Sequence, residues 1–237
     1  MDTDNLQQTL TNLMQSGSES NPAYATLLRD YTTYHAVLLI EGGLFALLLI
    51  VLSAYCWRRF ARSQGAGTRR WTFEKKVLFS SGLASTLFAL FMLLIVAANL
   101  SNVANPQAGF AQSIPDLGAP QAGTHRAALH EAVAGWAQSG SAAMPVLLQD
   151  AVRARLAWQR PKAIVCSILF VVLAVATAYT WRRLLQSRAR TVVWGLRDKA
   201  LLAIGVLAVP ATFLLLIMAL ANTQASLAPL TLTLLFG

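Results

Sequence analysis

One stretch of this chain occurs twice. Ala54-Tyr55-Cys56-Trp57-Arg58-Arg59 closes a long apolar run, and Ala178-Tyr179-Thr180-Trp181-Arg182-Arg183 closes another. Each is followed by a basic segment holding a tryptophan and a lysine (Trp71 and Lys76; Trp194 and Lys199), then by a second apolar run ending in Ala98-Asn99 or Ala221-Asn222. Matched positions are 123 or 124 residues apart throughout. The segment before each hairpin repeats as well: Leu6, Leu10 and Leu13 recur as Leu129, Val133 and Trp136. Each triplet lies on one helical face and is followed by Gln-Ser-Gly-Ser and a proline, Pro22 or Pro145. Self-similarity over a whole hairpin constrains the fold more than any local signal, because both copies must form the same unit.

The repeated unit is written for a bilayer. From about 36 to 57 the only charge is Glu41, and the runs 77–98, 163–181 and 200–221 carry none. About twenty residues at 1.5 Å rise cross a hydrocarbon core of about 30 Å. The expected fold is therefore an all-α integral membrane protein: four transmembrane helices as a tandem repeat of two helical hairpins, with short amphipathic helices on the outer side. Residues 1–106 form the first repeat, 107–124 a linker, and 125–237 the second repeat with an apolar C-terminal tail. The stretch 103–124, with Pro106, Pro115 and Pro120, is expected to be irregular, and 125–159 helical in two pieces. Pro210 should kink the last span.

Charge gives the orientation. The chain carries a formal net charge of +9, which on one face would point to nucleic acid, but thirteen of its nineteen Lys and Arg lie in Arg58 to Lys76 and Arg182 to Lys199. Positive charge concentrated in two short loops is the mark of cytoplasmic turns. Both termini and the long middle connection are then expected on the non-cytoplasmic side of the cell membrane. Nucleic-acid binding is not expected. The acidic start Met1-Asp2-Thr3-Asp4 lacks the basic region of a cleaved signal peptide. Cys56 and Cys166 fall near opposite leaflets, so no disulfide joins them in this topology.

Few residues carry recognisable chemistry. Glu41 is the one ionisable group inside an apolar run, and such a carboxylate is a candidate proton or cation site or a contact with another subunit. The matching position in the second copy is Ile164 or Val165, which argues against a duplicated transport site. Gly42 and Gly43 beside it would admit a close helix neighbour, as would the small face of Ser80, Ser81, Ser85 and Thr86. Trp57, Arg58, Arg59, Trp181, Arg182 and Arg183 are candidate contacts with anionic lipid headgroups and the interface.

Other chemistries lack their pattern. His35 stands alone at the mouth of the first span. His125, His130 and Glu131 lack the paired spacing of a metal site, and adjacent helical residues point apart. Ser16, Ser18, Ser139 and Ser141 have no nucleophile context. Gly65-Ala66-Gly67 lacks a nucleotide fingerprint. Asp116, His130, Glu131 and Asp150 are too scattered for an enzyme acting on lipid headgroups. The expected function is a non-enzymatic membrane protein without a cofactor, an accessory or structural subunit of a larger membrane complex. Its partners would be the lipid bilayer and other membrane subunits, one of which would cover the apolar tail from Leu227 onward. The alternative is a small transporter or channel with Glu41 in its path.

Overall fold

A computed structural model describes residues 5–16, 20–63, 71–190 and 193–236. The described residues form an all-α protein with no strand. Four helices are long and apolar enough to cross a membrane: α2 (Pro22–Arg62), α3 (Phe73–Ala104), α6 (Val146–Arg190) and α7 (Leu196–Leu227). Four shorter ones accompany them: α1 (Asn5–Gln15), α4 (Pro106–Ser113), α5 (His125–Ser139) and α8 (Pro229–Phe236). Pro161 and Pro210 both lie inside long helices, α6 and α7.

The chain divides into two compact units that cut across chain order. The first takes residues 1–40, 97–163 and 221–237; the second takes 41–96 and 164–220. In the first, α1 packs on α5 through the repeated apolar positions. Leu6 and Leu10 are fully buried, as are Leu129, Val133 and Trp136. An 11-residue helix is marginal alone in water, so α1 owes its order to this contact, where each buried Leu or Val contributes about 1.5–3 kcal/mol. Polar bonds fix the register: Gln138 Nε2 donates to Thr9 Oγ1 (2.9 Å), Gln7 Nε2 to the Ile114 carbonyl (3.2 Å), and Asn21 Nδ2 to the Ala137 carbonyl (2.8 Å).

Two expectations are corrected here. The stretch 103–124 is not irregular throughout: Asn105 caps α4, its side chain accepting from the Ala108 N–H, and Pro106 sits at the first helical position, where its missing N–H costs nothing. A 3₁₀ turn at Pro115–Leu117 follows, and Phe110, Ile114 and Leu117 are buried in the core. Nor is all of the apolar tail left for a cover from outside, although Leu227 stays 56% exposed. Leu230 and Leu234 of α8 pack into the same core. Asp30 Oδ2 accepts from the Thr231 N–H and from Thr231 Oγ1 (2.8 Å), capping the first turn of α8.

The second unit holds residues 41–62 of α2, 73–96 of α3, 164–190 of α6 and 196–220 of α7. Its aliphatic residues are largely exposed, among them Leu44, Leu48, Leu94, Val172 and Leu207, as a lipid-facing surface requires. Phe88 stacks on Phe213 (4.1 Å) and Phe45 meets Phe170 edge-on (5.5 Å), linking the two hairpins. Trp57, Phe60, Trp71 and Phe79 cluster at the end of the first hairpin. Phe73 meets Trp194 across the two loops. Cys56 and Cys166 are buried free thiols.

Candidate functional site

Glu41, in the second unit, is half-buried and makes no hydrogen bond or ion pair with the described residues. Gly42 is buried, and a Cβ there would meet Val96 Cγ2 at 3.4 Å, so α3 passes close to α2 at this point. A Cβ on Gly43 would meet nothing within 4 Å. Among the described residues, only the first of the two glycines has a side chain packed close against it.

The tryptophans of the two Trp-Arg-Arg sequences turn into their hairpins. A Cβ at Gly82 would lie 3.2 Å from the Trp57 ring, and one at Gly205 would lie 3.1 Å from the Trp181 ring. A side chain at either position would have to push the indole back by a few tenths of an ångström or more. Trp57 Nε1 also donates to Thr86 Oγ1 (3.1 Å), which pairs with Ser53 Oγ at 2.7 Å. The arginines behave differently: Arg58, Arg59, Arg182 and Arg183 are exposed. Arg59 reaches Glu74 at 3.2 Å, an exposed pair of little energetic weight, and Arg183 donates to Tyr179 Oη (2.9 Å).

A pocket absent from the sequence reading lies wholly within the first unit. It encloses about 490 Å³, inside the usual range for small-molecule sites. Tyr31, Tyr34 and His35 enter from α2, Asn102 from α3, Phe110 from α4, and Thr231 from α8. Leu10, Leu27, Leu117 and Leu234 supply its aliphatic wall, and Asp116 and Gln112 stand exposed at its edge. Tyr31 packs edge-on to Phe110 (5.4 Å) and against His35 (4.4 Å), which fixes both rings.

His35 Nδ1 lies 2.6 Å from Asn99 Oδ1 and 3.3 Å from Asn102 Nδ2. One ring nitrogen cannot donate to the first and accept from the second. The shorter contact assigns the proton to Nδ1 and leaves Nε2 an acceptor in the neutral ring. Gly109 makes the arrangement possible: a Cβ there would sit 2.6 Å from Asn102 Oδ1 and 2.9 Å from Tyr31 Oη. Behind Thr231, burial raises the Asp30 carboxyl above its ordinary value while the Thr231 bonds pull it down. Asp30 precedes the apolar run that begins at 36.

The sequence offered no spacing signal for this pocket, because its walls come from stretches separated by some seventy to two hundred residues. The polar Asn99 and Asn102 closing an apolar run, and the Tyr31, Tyr34, His35 cluster opening one, were the available hints. His130 is buried in α5, and no three His, Cys, Asp or Glu side chains converge as a metal site among the described residues. Compared with known protein families, curated proteins and solved structures, the chain finds no match.

Proposed function

We propose that this is a non-enzymatic, multi-pass protein of the cell membrane, a tandem duplication of a two-span unit that serves as an accessory or structural subunit of a larger membrane complex. The observation that carries the subunit reading is on α6. Val146 is 72% exposed and Trp158 66% exposed, yet both precede the apolar run that starts at 163. At 1.5 Å per residue, Val146 lies roughly 25 Å and Trp158 roughly 8 Å along the helix from that run. Leu147 is exposed beside Val146. Lipid tails do not extend that far, so a protein neighbour is the natural cover for the outermost of them.

Two matched contacts support the duplication: Trp57 on Gly82 and Trp181 on Gly205 hold equivalent places in the two copies. The basic loops support the orientation with both termini outside. Extraction in a mild detergent, with identification of what co-purifies, tests the subunit reading. A fixed set of partners is expected, and Val146→Asp with Trp158→Ala should release them without lowering the melting temperature of the isolated chain. Recovery of a lone monomer from native membranes would end the reading.

One observation favours a second reading as a small transporter or channel: Glu41 is half-buried in its apolar run with no partner among the described residues. Vesicles reconstituted with the purified chain would then take up a cation or proton, and Glu41→Gln would abolish uptake while leaving assembly intact.

A further inference from the structure

The lining of the pocket in the first unit is chemically one-sided. In a chain with a net charge of +9, no lysine or arginine among the described residues lines it, whereas Asp116 does. Asp116 forms no ion pair or side-chain hydrogen bond with the described residues and is exposed to whatever enters. Arg126 Nη2 donates to the Leu117 carbonyl (2.7 Å) and is not part of the lining. Three aromatic residues, Tyr31, Tyr34 and Phe110, belong to the lining. The neutral His35 tautomer adds an acceptor nitrogen, and Tyr31 Oη has no hydrogen-bond partner among the described residues.

We propose that this pocket binds an organic ammonium ion carrying an apolar or aromatic body. A cation gains the Asp116 carboxylate and the ring quadrupoles together, an attraction that strengthens as water is excluded. The aliphatic side formed by Leu10, Leu27, Leu117 and Leu234 accepts the body of the same molecule. An anion would find a carboxylate and no basic partner, so acids of the same shape are rejected. A zwitterionic lipid headgroup carries the same ammonium, but its phosphate would lack a partner here, which favours a free amine over a lipid.

The test is isothermal titration of the purified full chain in an uncharged maltoside detergent. Benzyltrimethylammonium is the cationic probe, phenylacetate the anionic one, and phosphocholine stands for the lipid headgroup. Saturable binding of benzyltrimethylammonium is expected, weakened about tenfold by Asp116→Asn, with no competition from phenylacetate. Gly109→Ala, which drives a methyl against Asn102 and Tyr31, should weaken it further. If that variant does not fold, Asp116→Asn, an exposed change, still decides. Competition by phosphocholine would assign the ammonium to a lipid, and its failure to compete would assign it to a free amine. No saturable binding at millimolar probe, equal binding of phenylacetate, or full affinity in Asp116→Asn would overturn the proposal.

Discussion

The ends of the two hairpins are alike in shape and unlike in polarity. Trp57 lies over Gly82 and Trp181 over Gly205, each so closely that a Cβ on the glycine would come within 3.2 or 3.1 Å of the ring. Trp57 Nε1 donates to Thr86, but Trp181 Nε1 is buried without a hydrogen-bond partner among the described residues. The reason is local. Thr86 follows Gly82 by one turn, and the residue following Gly205 at the same interval is Val209. The interhelical hydroxyl pair persists in both hairpins, Ser53 with Thr86 and Thr177 with Thr212 (3.2 Å). In the second hairpin the α7 member of the pair, Thr212, lies three residues beyond Val209, and the Trp181 N–H does not reach it. The fit of a flat ring on a glycine is thus common to both hairpins and the indole hydrogen bond is not, so packing is what the two joints share.

Four experiments test how alike the two hairpin ends are. The largest effect is all-or-none: with Cys56 and Cys166 replaced by alanine, Ser63→Cys and Gln186→Cys should both resist an impermeant thiol reagent in intact cells, while Gln15→Cys should react. Opposite behaviour of Ser63→Cys and Gln186→Cys would mean the hairpins are not equivalent. Next, Gly82→Leu and Gly205→Leu should each cost about 1–3 kcal/mol, read as a lowered unfolding midpoint in detergent, because the new side chain must displace an indole. A loss at Gly82 alone would show that the polar contact, not the ring, governs. Thr86→Val should cost about 1–3 kcal/mol by stranding the Trp57 N–H and the Ser53 hydroxyl. The smallest effect is a gain: Val209→Thr should raise stability by about 0.5–1.5 kcal/mol by restoring an acceptor one turn beyond Gly205. No gain there would place the two indoles in different orientations.

The four long helices were legible because uncharged runs of this length have few other uses, and backbone groups in lipid must bond within a helix. Their extent was not. α2 runs 41 residues and α6 runs 45, well past the apolar runs 36–57 and 163–181. The extra turns are held by tertiary burial, as at Leu27 and Tyr31, which hydropathy does not register. α4 was hidden because Pro106 and Gly109 read as breakers, although an Asn-Pro start is also how a helix begins. The tail was visible as apolar but not as self-covered, since Asp30 and Thr231 are 201 residues apart. Glu41 was found from its isolation in sequence. The pocket could not be, because no single stretch contains enough of it.

The cap that Asp30 places on α8 also sets an order of events during synthesis. Asp30 is made with the first long helix, whereas Thr231 emerges only after the fourth. Throughout that interval the carboxylate lacks its partner, and the pocket lacks the wall that Thr231 and Leu234 provide. The wall that Thr231 and Leu234 give to this pocket is therefore completed only when α8 docks, after all four long helices have been made.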